Sequence, residues 1–546
     1  MTVIESFQET LEHQKGNASM NWIKQAALAA VATAALLGPA SAEIVYNRAN
    51  SGEPETLDSH KTSTVQEAHI LRDMLEGLVT YNPKGEAIPG QAAKWEVSDD
   101  GKTYRFTLRD GIKWSNGDPV KASDFVFSYR RIMNPETGAK YANILYPILN
   151  AEKVNKGQAK VEELGVKAID DKTLEIKLEQ PTPYFIELLT HQTSLPVHPG
   201  SVEKFGKDFV KPGNMVTNGA YKLAEFVPNS HIKLVKNENY YDAKNVKIDT
   251  VMYYPTPDFA AMVRRYEAGE LDTTDDVPAD QMKSLKERFK DQVKLGPYLG
   301  TWFLVVNTSK APFNDVRVRQ ALSMMVDREF VAEQIWGQTM QPGYSFMPPG
   351  VGNYGEPAYM DYKDMSPIDR EEKAKALLKE AGFGPGKPLK VEIRYNTTDN
   401  NRNTVVAIAE QFKPAGIETS FINTDGKTHF AYLRDGGDFD LARYGWIADY
   451  SDPNNFLFLL KSDNKGFNYG KYNNPEFDKL LDQAAAELDL KKRAEIFKKA
   501  EGILMKDMPW IPIMYYGKSN LISPKIHGFV QNTRGVYPSR FLSKDQ

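Results

Sequence analysis

The chain has 546 residues, 41% of them hydrophobic and 26% charged, with a formal net charge of -4 and no cysteine. That length demands more than one core, because single cores stop growing at roughly 250–300 residues, and the ordinary composition argues against disorder and against a polytopic membrane protein. A slightly acidic chain lacks the basic excess that a nucleic-acid partner requires, and zero cysteine excludes disulfides, cysteine nucleophiles, thiolate zinc sites and a lipid-anchored cysteine.

Residues 1–19 are polar, and from Met20 the chain reads MNWIKQAALAAVATAALLGPASA, with Lys24 ahead of an apolar core over 26–37 and Ala40-Ser41-Ala42 in A-x-A form. This three-part pattern is that of a secretory signal peptide, with a core too short for a membrane span. Cleavage is expected after Ala42, and translation is expected to start at Met20 rather than Met1. A strand from residue 44 and a loop through Lys61 follow, then a helix over 65–78. Tyr104, Phe106 and Leu108 alternate with polar residues as a strand after an Asp100-Gly101 turn. Asn116-Gly117 marks another turn, and Ser123 reads as the N-cap of a helix that ends before Pro135. Paired strands around Asp170-Asp171 and a short helix over 181–189 complete an α+β unit. Between 199 and 297, strands over 220–226, 231–236 and 250–254 alternate with helices over 258–268 and 279–289, a mixed α/β pattern.

A third region opens with a strand at Gly300. Next come a helix over 316–336 capped by Asn314 or Asp315, a helix over 371–381 stopped by Gly382, a strand over 390–395, a helix over 404–412 and a strand over 418–422. Another helix starts at Asn474-Pro475-Glu476. No low-complexity linker separates these regions, which favours a hinge over beads on a string. Between the last two elements lies FDLARYGWIADYSDP (439–453), a strand-like run with one cation that ends in a carboxylate-rich turn. Arg443 and Asp449 are costly to bury unpaired, so either they satisfy each other or the backbone, or they face a cleft and await a charged ligand.

Catalytic patterns fail on inspection. Gly517-Lys518-Ser519 imitates the end of a phosphate loop, but Pro512 stands where the upstream glycine belongs, and Lys387 breaks a dinucleotide pattern at Gly382, Gly384 and Gly386. The 8 histidines show no H-E-x-x-H spacing, and Tyr344-Ser345-Phe346 lacks the glycine of a nucleophile elbow. A binding module without catalysis is the leading reading; a secreted peptidase or amidase with a carboxylate site, and a holdase for unfolded chains, are the alternatives.

The signal peptide, the α/β regions and the strings LDSHK (57–61), VTNGAYKL (216–223), PFNDVRVRQAL (312–322), YNTTD (395–399) and DLARYGWIADYSDP (440–453) together resemble the periplasmic oligopeptide-binding proteins of ATP-binding cassette importers, in the peptide- and nickel-binding class of solute-binding proteins. The resemblance runs from about Val45 to the C-terminus. It implies the two-lobed type II binding-protein fold with an extra inserted α+β domain. Domain I would comprise 43–75, 200–299 and 517–546, domain II 76–199 and domain III 300–516, with a hinge at Gly300 and Tyr516. It also implies a monomer in the periplasm that encloses a short peptide, needs no cofactor and docks on an inner-membrane permease. By the same resemblance Asp449 pairs with the peptide's ammonium, the backbone of Tyr444, Gly445, Trp446 and Ile447 and that near Val65 hydrogen-bond it as an added strand, Arg443 meets a terminal carboxylate, and Trp446 and Tyr516 wall the pocket.

Departures from the family pattern sharpen the expectation. Its two cysteines fall at Gly300 and Ile447, and the lysine and histidine that receive longer peptides fall at Trp336 and Asn401, leaving Arg443. Tripeptides, including the cell-wall peptide bound by a relative within the family, are therefore favoured. Dipeptides, nickel chelates, haem and sugars are the other ligands the fold carries.

Overall fold

The computed structural model describes residues 43–545, so the leader and the expected signal peptide lie outside the described residues. Three larger sheets organise the chain. The first joins Val45–Asn50, Thr250–Pro255, His231–Lys236 and Tyr221–Val227 in that order, and the second joins Ala92–Val97, Thr103–Leu108, Thr173–Lys177 and Val166–Ala168. The third has six strands, ordered Gln341–Pro342, Trp510–Leu521, Val293–Val306, Leu441–Ile447, Leu389–Asn396 and Ile417–Thr424. With helices packed on these sheets, the chain is mixed α/β, as its sequence predicts.

Two long antiparallel strands, Val293–Val306 and Trp510–Leu521, run from one core into another. At one end Leu521 and Val293 pack with Met262, Val263, Tyr266 and Leu285; at the other, Trp302 to Val306 and Trp510 to Met514 are buried in a larger cluster. Between the two cores the register breaks: Pro297 pairs with Gly517 and Thr301 with Tyr515, so residues 298–300 lie against the single residue Tyr516. A strand starting at Gly300 is thus too short a reading, because the chain is already extended from Val293.

Other boundaries move for local reasons. The helix read over 65–78 stops at Met74, since tertiary bonds claim the backbone beyond it: Asn218 accepts from the Glu76 N–H and donates to its C=O, and Gly77 C=O accepts from Gln91. Lys121, not Ser123, is the N-cap of Ala122–Met133; the Asp124 carboxylate takes the Lys121 N–H and leaves Ser123 inside the first turn. The helix read over 316–336 is Val316–Met324, capped by Asp315, and a separate turn that starts at Asp327. Two large elements escaped the sequence reading, the helix Leu490–Asp507 and the strand Trp510–Leu521.

Much of what carries the family resemblance is bracing. In LDSHK, Asp58 holds Arg131 through two bonds of 2.7 and 2.9 Å and ties the first segment to the helix Ala122–Met133. In VTNGAYKL, a side chain at Gly219 would meet the Met74 backbone at 2.6 Å, so only glycine allows that approach.

Candidate functional site

The strand Leu441–Ile447 pairs along one edge with Val293–Val306, from Leu441 opposite Val306 to Ile447 opposite Gly300. The Ala448 N–H donates to Leu299 C=O, and the Asn307 N–H donates to Asp440 C=O. Alternation in an antiparallel ladder then turns the peptide groups of Ala442, Tyr444 and Trp446 toward that neighbour and those of Arg443, Gly445 and Ile447 away from it. On the far edge, Leu389–Asn396 pairs only with Leu441 and Ala442. His429 Nε2 bonds the Arg443 C=O at 2.8 Å, but no described strand pairs with Gly445 or Ile447 there. A short open edge results, the kind onto which an extended chain can add.

Side chains follow the same alternation. Tyr444 packs edge-on against Tyr469 and Trp510, and Trp446 against Phe458 and Phe467, with its Nε1 donating to Asn455 at 2.8 Å. Trp446 is therefore packed with the core of its lobe, away from the cavity walls. Arg443, Gly445 and Ile447 occupy the opposite face. Arg443 and Asp449 do not pair with each other. The Arg443 guanidinium donates to Tyr516 Oη at 2.9 Å and to Asn396 Oδ1 at 3.2 Å, and lies over the Trp302 ring. Gly445 is required beneath it, because a Cβ there would run into the Tyr516 hydroxyl.

Two adjoining cavities share Ile447 and Tyr298. The smaller, about 220 Å³, is lined by Val65 and other residues at the start of the helix Val65–Met74, by Tyr141 and His191, and by Asp449 and Arg534. Val65 and Ile447 are 45% and 40% exposed, so two apolar side chains stand open on its wall. The Asp449 N–H is held by Asn455 at 3.2 Å and its C=O by Arg534 at 2.8 Å, while its carboxylate meets no hydrogen-bond donor among the described residues. Burial raises its pKa to about 6, against the pull of Arg534. Burial also holds His69 and His191 neutral, near pKa 3.

The loop that carries Asp449 is fixed from several sides. Arg493 and Asp452 form a buried two-pronged pair at 2.6 and 2.8 Å, Tyr450 stacks on Tyr184 at 5.2 Å, and Asn454 donates to the Tyr184 hydroxyl.

The larger cavity, about 810 Å³, is lined by Tyr516 to Ser519, Trp336 and the start of the helix Asp399–Phe412. Trp336 donates to Thr404 at 2.9 Å and sits on its wall. Asn401 is buried instead, accepting from Trp302 and donating to Asn396. Lys518 belongs to the strand Trp510–Leu521 and is neutralised by Asp275 at 3.3 Å, so the phosphate-loop imitation around it is a strand. Among the described residues no group of His, Asp or Glu is placed to hold a metal ion.

Sequence reasoning missed Arg72, Arg534, Tyr141 and Tyr298. Each sits in a segment with no local motif, and they are assembled only by the fold. Comparisons with known proteins agree with this architecture. The chain belongs to the bacterial extracellular solute-binding proteins, family 5, whose model matches residues 86–468. It is 39% identical over 517 residues to the periplasmic oligopeptide-binding protein OppA of Salmonella typhimurium, covering 93% of this chain and 94% of that protein. Among solved structures, the Escherichia coli murein tripeptide binding protein MppA superposes with a TM-score of 0.78 at 37% identity, covering 92% of this chain and 99% of the other. Haemophilus influenzae OppA in complex with RPPGFSPFR gives a TM-score of 0.75 at 36% identity over 92% and 99%.

Proposed function

We propose that this protein is a peptide receptor of the periplasm, which captures a short peptide in the cleft and delivers it to an ATP-binding cassette permease without altering it. The observation that carries the reading is the Asp449 carboxylate: half-buried, free of donors among the described residues, and placed just past the open edge of Gly445 and Ile447. A peptide's ammonium supplies the missing donor and charge, while its backbone extends along the edge, which makes binding independent of most side chains. Val65 contributes backbone from the opposite wall. The relatives named for oligopeptides and for murein peptide support the same class of ligand.

The three-domain division given above goes with this reading. Its hinge falls at Gly300 and Tyr516, where the register of the two long strands breaks between two cores. Export with cleavage after Ala42 and a monomeric receptor complete the proposal. A tripeptide's carboxylate reaching Arg443 competes with the Tyr516 hydroxyl for its Nη2, exchanging a bond from a charged donor to a neutral acceptor for one in which both partners are ionised.

Calorimetry with trialanine and its N-acetylated form tests the central claim. The free peptide should bind with one-to-one stoichiometry and the acetylated one far more weakly. Equal affinities would rule out Asp449 as the ammonium site. Mass analysis of the peptide after prolonged incubation should find it intact; cleavage would make the protein an enzyme.

A further inference from the structure

The small cavity holds more positive charge than an ammonium site needs. Arg72 and Arg534 both line it, and both lie against the Tyr81 ring at 5.6 Å. Arg534 is engaged: it donates to the carbonyls of Ala448 and Asp449 and to the Tyr81 hydroxyl, and it feels Glu187 and Asp449 as the nearby acids. Among the described residues Arg72 has only the neutral Gln192 Oε1 as a hydrogen-bond acceptor, at 3.3 Å. The Nε–H of each guanidinium is buried and meets no acceptor. His69 and His191 add no charge, and the second guanidinium adds to the burial that holds Arg72 below the usual arginine range.

Two like charges that share a ring, one without a carboxylate partner and both with a buried unmade hydrogen bond, are costly in the empty cavity. A carboxylate entering beside them removes both costs at once, and guanidinium is the side chain best shaped to hold it. A sphere of the cavity's volume is about 7.5 Å across, roughly two residues of extended chain, so whatever reaches Arg72 lies close to the group that pairs with Asp449.

We infer that Arg72, assisted by Arg534, receives a carboxylate carried by the ligand within one residue of its ammonium. The protein then selects peptides with an acidic residue at the first or second position, or dipeptides by their own C-terminus. This rests on the peptide reading above, to which it adds a substrate class.

The test is calorimetry on alanine tripeptides with Glu or Gln at position one, two or three, together with Ala-Gln and its C-terminal amide. Glu should bind about ten- to a hundredfold tighter than Gln at position one or two and equally at position three. A preference confined to Ala-Gln over its amide would instead assign the carboxylate to a dipeptide's C-terminus. Arg72→Gln should abolish the preference, so that Glu and Gln peptides bind alike whatever their common affinity, and Arg72→Lys should restore part of it. Thermal melting of each variant separates this from misfolding. Equal binding of Glu and Gln peptides at positions one and two, with no preference for Ala-Gln over its amide, overturns the inference and leaves the peptide reading standing. A preference that survives in Arg72→Gln overturns it as well. If no peptide binds, Gln or Glu, the peptide reading fails and this inference fails with it.

Discussion

Around Asp449 the cleft is narrow, about 220 Å³, and its wall comes from segments as far apart in sequence as Ser63 and Val536. Around Tyr516 and Trp336 it widens to about 810 Å³, and its Lys518 is already neutralised by Asp275. At the narrow end one carboxylate is left without a donor and is aimed by a braced loop; at the wide end the walls offer space and few uncommitted charges. On the function proposed above, such a pair of ends fixes where a peptide begins and leaves open where it stops. Specificity by terminus needs rigidity at one end only.

The bracing gives the largest expected effect. Arg493 and Asp452 are 2% and 1% exposed and hold the loop from Ala448 to Asn454 against the helix Leu490–Asp507. Arg493→Ala leaves Asp452 buried and unpaired, which should cost about 3–5 kcal/mol of stability in urea unfolding. An unchanged midpoint would mean that the narrow end is not rigid for this reason. Next in size is the proposed ammonium contact: Asp449→Ala should weaken peptide binding by about 2–5 kcal/mol with little change in stability. A similar loss from truncating Trp336 at the wide end would erase the contrast.

Acidity distinguishes the two ends more gently. Asp449 has its folded pKa raised to about 6, above its ordinary 3.8, so its contribution to the stability of the empty protein is full below about 4 and is lost as pH rises through 6. Binding an ammonium works in the opposite direction, since only the ionised carboxylate pairs with it. Affinity should therefore be flat above about pH 7 and fall close to tenfold per unit below 6. Calorimetry across pH in two buffers should show proton release on binding near pH 6. Affinity independent of pH from 5 to 7 would place the ammonium elsewhere.

Legibility divides along the same line. Elements with a local signature were read well: the helix starts at Asp258 and Asn474, which the structure shows to be caps, the turn at Gly101, and the strand His231–Lys236 to the residue. Asp449 and Arg443 stood out because charge beside a strand is expensive, yet the parity that turns Tyr444 and Trp446 into the core and leaves Arg443 behind Tyr516 depends on the pairing with Val293–Val306. Arg72 and Arg534 meet across 462 positions of chain on the ring of Tyr81, and no spacing rule reaches that far. Asp449 was legible as a candidate; the cations that the fold places around it were not.

The smallest effect concerns Arg443, and its sign carries the information. Receiving a tripeptide's carboxylate gains a bond between two ions, but the bond it displaces, from the Arg443 guanidinium to Tyr516 Oη, already has a charged donor and is worth much of the same roughly 1.5–3 kcal/mol. The net advantage of three residues over four or five is then only about 1 kcal/mol, near fivefold. Arg443→Ala should remove that advantage and leave pentapeptides little changed. Tyr516→Phe should do the opposite: with the hydroxyl gone, Nη2 has no competing partner and the preference for tripeptides should grow. An alanine length series on the three proteins reads both signs. If the two substitutions shift the preference in the same direction, Arg443 acts only by holding Tyr516 in the cleft wall, and the wide end has no carboxylate receptor at this position.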